Sequence, residues 1–404
     1  MNTIYNKNID SIISYFDVPK TCTSCLGLEL EHFPVYGDES PAPYSGEHGV
    51  LEVLNGLKPY FEDLYYVDGA LLGMYNDEYS ISLEPSAQFE ISVTPKTTVR
   101  EIEKIYSGFQ NLVAPILKKN GLRLETLGYR PKGSVYDLEL IPKKRYEYMD
   151  RYFKTSGTCG INMMRGTAST QVSIDFVNEW DFVRKYRFAY LIMPAIKLIC
   201  DNTPVFEDKK NDTPLKRTYI WRNTDKARCE APAGVFEKGF GFASYAEYLM
   251  NVPLIFIMEN GTAKYVGDQT AAQLFENKLL TKEDIEHITS MVFPDVRLKR
   301  YIEIRGADSL PIELALGYTA LIKALFYSCG TIESYLDEYK IHYSHILAAE
   351  NSLMKNGKNG KIYGVPADEF IKSLFACAKN NISGGELHYI ETLEEFYNSG
   401  NEGK

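Results

Sequence analysis

Ser80-Ile-Ser-Leu-Glu-Pro-Ser-Ala-Gln-Phe-Glu-Ile-Ser-Val93 is the stretch from which the architecture can be read, because it sets two carboxylates where a strand disfavours them. Read with a period of two, Ile81, Leu83, Phe89, Ile91 and Val93 share one face. Ser82, Glu84, Gln88, Glu90 and Ser92 share the other. The insert Pro85-Ser86-Ala87 preserves that parity across an expected bulge or loop. Like charges on one side of a strand repel. Either a cation neutralises them, or the polar face is simply solvated, as on a half-exposed antiparallel sheet.

The same pattern recurs elsewhere in the chain. In 26–31, Leu28 and Leu30 alternate with Glu29 and Glu31. In 165–176, Arg165, Thr167, Ser169, Gln171, Ser173 and Asp175 oppose Val172, Ile174 and Phe176. In 297–305, Lys299, Tyr301, Glu303 and Arg305 oppose Leu298, Ile302 and Ile304. Such strands stack into one antiparallel sheet with a concave polar surface and a core behind it. Same-face side chains repeat at about 7 Å along a strand, so neighbouring strands must cooperate to complete a coordination shell. Oxygen donors without clustered His or Cys point to Mg²⁺ or Mn²⁺ rather than zinc. Acids mixed with arginines suit a nucleoside triphosphate gripped through metal and guanidinium together.

The chain has 404 residues, 45% hydrophobic and 24% charged, enough for a large core. No linker-like break or internal repeat divides it. Hairpin-like strand pairs interleaved with helices make the class α+β. A net charge of −10 without a basic stripe excludes a nucleic-acid footprint. The longest apolar run, 188–200, contains Pro194 and Lys197 and is too short to span a bilayer, so no membrane partner is expected. No N-terminal signal is seen. Seven irregularly spaced cysteines, with Cys22 and Cys25 the only close pair, fit a reducing, cytoplasmic setting without a disulfide framework. Residues 201–229 read as a charged, mostly irregular segment: a binding loop or a solvated surface.

These stretches also resemble a known family. Gly27-Leu-Glu-Leu-Glu31 and Leu83-Glu-Pro-Ser-Ala-Gln-Phe-Glu90 resemble the G-x-E-x-E and L-E-P-G-G-Q-x-E signatures of plant-type (GCS2) glutamate–cysteine ligases. Pro142-Lys-x-Arg-Tyr146, Met163-Met-Arg-Gly-Thr-Ala-Ser-Thr-Gln-Val-Ser-Ile-Asp175, Ile220-Trp-x-x-Thr-Asp-Lys-x-Arg228 and Arg297-Leu-Lys-Arg-Tyr-x-Glu-x-Arg-Gly-Ala-Asp308 follow in the family's order. The resemblance implies a glutamine synthetase-like fold, with an antiparallel sheet forming the active-site funnel and helices behind. A single catalytic domain is expected over 1–404, with a ligase core at about 22–330 and a helical extension at 331–404. The implied activity joins the glutamate γ-carboxylate to the amine of cysteine through γ-glutamyl phosphate, with ATP as phosphoryl donor, as in glutathione biosynthesis. The implied partners are small molecules: glutamate, cysteine and ATP.

Position within the motifs assigns Glu29, Glu31, Glu84, Glu90 and Glu303 to Mg²⁺ (Mn²⁺ as substitute), with Gln88 as ligand or hydrogen-bonding neighbour. Lys299, Arg300 and Arg305 go to ATP and the transferred phosphate. Arg165, Thr167, Gln171 and Arg228 go to substrate, and Arg305 and Arg165 are the catalytic candidates. A guanidinium fork matches a carboxylate, which suits Arg165 and Arg228. Two residues keep a second reading. Arg300 falls on the apolar parity and suits an ion pair at a sheet edge, and Arg165 suits a salt bridge to an acidic strand. His32, opposite in parity to Glu29 and Glu31, reads as structural. Ser86-Ala87 replaces the family's Gly-Gly, so a turn needing positive φ is expected to be lost or shifted, with acceptor specificity affected. Plant members carry a transit segment and regulatory disulfides, and the sequence shows neither. The competing functions are the same chemistry on another amine, and a non-catalytic nucleotide-binding role that the retained acids and Arg305 argue against.

Overall fold

The alternating stretches do form strands. The computed structural model describes residues 3–18, 23–259 and 261–399. In chain order the strands are β1 (Leu26–Tyr36), β2 (Asp63–Val67), β3 (Ala70–Tyr75), β4 (Tyr79–Leu83), β5 (Phe89–Lys96), β6 (Leu122–Glu125) and β7 (Ser169–Ile174). They continue with β8 (Val205–Phe206), β9 (Lys209–Lys210), β10 (Pro253–Glu259), β11 (Thr262–Thr270), β12 (Val296–Leu298) and β13 (Ile302–Asp308). The main sheet runs β12-β13-β7-β1-β5-β4-β3-β2, antiparallel throughout, and β6 pairs with the far end of β1.

Local chemistry sets the register. Asp68 and Gly69 both take positive φ between β2 and β3, the geometry that a two-residue hairpin turn favours. Asn76 Oδ1 accepts from the amides of Glu78 and Tyr79, each at 2.9 Å, and turns the chain into β4. One sheet face buries Leu28, Leu30, Ile81, Phe89, Ile91, Val172 and Ile304. Three helices pack on that face: Val99–Lys119, Glu179–Ile199 and Ile312–Phe326. The first starts in a Thr98/Glu101 capping box, and the second is capped by Asn178 and buried nearly all round. His32 is core, its ring between Phe89 O at 3.0 Å and Tyr106 OH at 2.8 Å, and burial lowers its pKa to about 4.

Several expected elements are divided differently. The segment 297–305 is a hairpin rather than one strand, with its turn at 299–301. The segment 165–176 is strand only from Ser169, because Asn162–Gly166 is wound as a π-turn. Within 201–229 the chain forms the β8–β9 hairpin and the helices Lys216–Arg222 and Lys226–Cys229. The span 332–356, whose sequence reads as helical, splits into Thr331–Glu338 and Tyr343–Asn356. The final helix, Leu387–Asn398, packs on Ile312–Phe326 within the same hydrophobic cluster as the sheet, so the C-terminal helices share one core with it. Among the described residues no single helix is long and apolar enough to cross a membrane. The Asn260-Gly261 pair reads in sequence as a turn after the strand 254–258, and it lies partly outside the described residues.

Candidate active site

The polar sheet face floors a cavity of about 320 Å³. Its acids are Glu29 and Glu31 from β1, Glu84 just beyond β4 and Glu90 from β5. The antiparallel register sets Glu31 directly opposite Glu90, and Glu29 opposite Gln171. Burial raises the pKa of Glu29, Glu31 and Glu90, that of Glu31 to about 7. Neighbouring charge adds to it: Glu303 acts on Glu29, Glu84 on Glu31, and Glu29 on Glu90.

Facing these acids are Lys143, Arg145, Arg217, Arg297, Lys299 and Arg305. Lys143 Nζ sits 5.0 Å from the Tyr146 ring centre and 5.4 Å from that of Tyr65, and burial lowers its pKa to about 8. Arg217 and Trp221 lie four residues apart on the helix Lys216–Arg222, so one helix face presents both. Arg217 Nη1 donates to Arg305 O at 3.2 Å. Among the described residues, Arg145 Nε, Arg217 Nε and Trp221 Nε1 are buried donors with no acceptor, a state that an anionic ligand relieves.

Acids and cations are joined through Gln171. Its Nε2 donates to Glu31 Oε1 at 3.0 Å, while Oε1 accepts from Arg305 Nη1. Glu31 also accepts from Ser169 N at 2.7 Å and Ser169 Oγ at 3.1 Å. Thr167 lines the cavity, but its hydroxyl is spent on Met163 O at 2.7 Å. Gln88 braces the loop before β5: its Oε1 accepts from Ser86 N at 2.8 Å and its Nε2 reaches Met164 O and Thr167 O, each at 3.4 Å.

That loop retains the backbone expected to be lost. Ala87 has φ +63°, so the left-handed turn survives without glycine. Ala87 N donates to Glu84 O at 3.0 Å and Glu84 N to Gln88 O at 2.9 Å, which fixes both site residues. We expect Ala87→Gly to unfold within about 1 kcal/mol of wild type. Ala87→Val should lose roughly 2–3 kcal/mol in urea unfolding, because a β-branched side chain is strained there. Equal stability of the two variants would contradict a left-handed Ala87.

Three site assignments and one parity reading need correction. Arg165 turns away from the cavity into Asp150 and Leu138 O, the latter at 2.7 Å, so it is a structural salt bridge. Arg228 is completely buried. It donates to Asp225 Oδ2 at 2.7 Å, Met291 O at 2.7 Å and Pro253 O at 3.0 Å, between the rings of Tyr152, Phe153 and Phe293. Glu303 is fully buried and neutralised by Arg297, Lys299 and Arg305, which hold its carboxyl below the usual range against the opposing effect of burial. It anchors the cationic wall rather than joining the open carboxylates. Arg300 sits at the exposed hairpin turn, where strand parity does not apply. It lies 5.4 Å from the Tyr15 ring and lines a second cavity of about 730 Å³. Glu29 borders both cavities.

Arg228→Lys is therefore expected to cost about 3 kcal/mol, since lysine cannot replace three buried donors. Urea unfolding reads the loss, and KM for every substrate should move little or alike. A selective rise in one KM would return Arg228 to the site.

A model of glutamate-cysteine ligase family 2 matches residues 25–404. The chain belongs to that family. It is 32% identical over 324 residues to the chloroplastic glutamate–cysteine ligase of Solanum lycopersicum, covering 77% of this chain and 61% of the tomato protein. It is 34% identical over 298 residues to that of Brassica juncea, covering 71% of this chain and 58% of the relative. The chain thus spans less than two thirds of the length of these curated relatives. In fold it matches the glutamate–cysteine ligase of Francisella tularensis, solved in complex with AMP, with a TM-score of 0.60 at 12% identity over 96% of this chain and 84% of that one. The expected α+β class, a mainly antiparallel sheet backed by helices, agrees with that likeness of fold.

Two expectations do not survive for this family member. The matched plant relatives are chloroplastic by name, which overturns the cytoplasmic location read from the sequence. Cys25 is disulfide-bonded, against the expectation of no disulfide, while Cys159, Cys200, Cys229, Cys329 and Cys377 are free. Cys22 lies outside the described residues. Sequence reasoning also passed over Lys143, Arg145, Tyr146, Arg217, Trp221 and Arg297 as site residues. All but Arg217 lie inside the quoted motifs, and the four-residue spacing of Arg217 and Trp221 is itself a helix-face signal.

Proposed function

We propose that this chain forms γ-glutamylcysteine from glutamate, cysteine and ATP, releasing ADP and phosphate. The observation that carries the reading is one cavity in which Glu29, Glu31, Glu84 and Glu90 face six cationic side chains. Family membership supports it, because the matched relatives are named glutamate–cysteine ligases.

The open carboxylates fit a hard divalent cation by donor chemistry, since they are oxygen-only, partly desolvated and mutually repelling. Among the described residues no three His, Cys, Asp or Glu side chains converge into a metal cage by themselves. Glu29, Glu31, Glu84 and Glu90 would hold Mg²⁺. When bound, it supplies charge neutralisation to the triphosphate.

The second cavity suits the rest of the nucleotide. It is the larger space, it presents Ser80, Ser92, Ser173 and Arg300, and it meets the first cavity at Glu29. Lys299 and Arg305 then face the phosphoryl group in flight, and Arg217 with Trp221 offers donors to a glutamate carboxylate. The γ-carboxylate attacks the terminal phosphorus, ADP leaves, and the acyl phosphate is created in place. The cysteine amine attacks that carbonyl carbon, phosphate departs with the C–O bonding pair, and the amine loses a proton. The residues orient both partners and exclude water, which converts a difficult bimolecular step into a local one. Ala87 keeps its left-handed turn, so the Ser86-Ala87 departure supports no change of acceptor.

Incubation with ATP, Mg²⁺ and glutamate alone should release ADP slowly as water intercepts the acyl phosphate, and cysteine should accelerate it while a γ-linked dipeptide accumulates. Product mass and nucleotide chromatography read both. AMP with pyrophosphate would mean adenylate chemistry and would end this reading.

A further inference from the structure

Four acidic and basic side chains lie behind the wall of the candidate site, and none lines either cavity. Arg222 ends the helix that carries Arg217 and Trp221. It pairs with Glu350 Oε2 at 2.5 Å and donates to Asn351 Oδ1 at 2.6 Å and Leu347 O at 3.2 Å. The other oxygen of Glu350 takes Lys197 Nζ at 2.7 Å, and Nζ also reaches Asp295 Oδ2 at 2.7 Å. The backbone of Asp295 in turn accepts Arg305 N at 2.8 Å. Lys197 and Glu350 are 6% and 2% exposed. Two arms of the cavity thus end on the two oxygens of one carboxylate: the Arg217–Trp221 helix and the strand segment that sets Arg305.

A charge-balanced cluster built on the buried Lys197–Glu350 pair, with Arg222 and Asp295 partly exposed, gives little stability over well-packed apolar groups of the same volume. What it does give is geometry, because a carboxylate with one cation on each oxygen fixes the separation of both. The arms must hold that separation closely, since a displacement of about 1 Å costs as much as 10²-fold in rate. We propose that Glu350, on the C-terminal helix Tyr343–Asn356, is a positioning residue for the ligase reaction, holding the Arg217–Trp221 helix and Arg305 in mutual register. The proposal rests on the function argued above. It makes the C-terminal helices part of the working site rather than an appendage.

The test compares Glu350→Gln with an apolar replacement of the cluster, Lys197→Met, Glu350→Leu, Arg222→Leu and Asp295→Asn together. Glu350→Gln should lower kcat/KM for glutamate by about 30-fold, with KM for ATP within about twofold. The apolar variant should regain the wild-type Tm without regaining the rate, which a merely structural role would not predict. Trp221 supplies a readout independent of turnover. In a Trp180→Phe background it is the one tryptophan left of two, and Glu350→Gln should raise its acrylamide quenching. Glutamate kcat/KM within threefold of wild type in either folded variant, or unchanged Trp221 quenching, overturns the proposal. A wild-type protein that releases no ADP with glutamate ends the ligase reading instead, and the quenching result then still decides whether Glu350 sets the helix.

Discussion

Glu90→Gln is expected to lower turnover by roughly 10²–10³-fold while leaving the chain folded. Glu90 faces Glu31 across the ladder and accepts from Ser82 Oγ at 2.9 Å and Ser92 Oγ at 3.1 Å. The amide keeps the volume and much of that bonding but removes one charge from the cation's cradle. In the metal-free protein the same change should raise Tm slightly, because Glu90 is held protonated above its usual range by burial and by Glu29, Glu84 and Glu31. A pH dependence follows with a defined sign. The pKa of Glu31 rises from 4.5 to about 7 on folding, so the folded chain keeps a proton that the unfolded chain releases. Metal-free stability should therefore decline as pH rises from 4.5 to about 7, by on the order of 3 kcal/mol from Glu31. Glu31→Gln should flatten that slope. Urea unfolding in EDTA across the window measures it, and a stability that climbs with pH there would show that burial and the neighbouring Glu84 do not raise the Glu31 carboxyl. Full turnover in Glu90→Gln would remove Glu90 from the site.

Arg305→Met should cost about 10²-fold or more in kcat, since a preorganised cation aimed at developing charge is worth several kcal/mol. Arg305 bridges Gln171 and Glu303, and through Gln171 it reaches Glu31. The fold should persist, because Glu303 keeps Arg297 from β12 and Lys299 from the hairpin turn. Arg305→Lys restores charge without the fork and should recover only part of the rate. If Arg305→Met changed KM for ATP alone, with kcat intact, Arg305 would be a ground-state contact and not part of phosphoryl transfer.

The order of residues alone dictates which face of each strand is polar. Side chains alternate with a fixed period of two, so Glu29, Glu31, Glu84 and Glu90 could be placed together before any pairing was known. It also carried the family, because Gly27-Leu-Glu-Leu-Glu31 and the motifs after it are contiguous in the chain. It could not tell a guanidinium that meets substrate from one that meets the protein. Arg165 and Arg228 sit in matching motifs, yet Asp150 and buried carbonyls take both terminal nitrogens of Arg165, and Asp225 with two carbonyls takes all three nitrogens of Arg228. Arg217, from a segment read as loop, reaches the cavity because a short helix aims it there. Parity likewise failed for Arg300, where the strand turns back on itself. Tertiary packing settles these cases, since whether a charge is spent or available depends on partners distant in sequence. The same holds for Glu350, which contacts Lys197 and Arg222 from a helix at the far end of the chain.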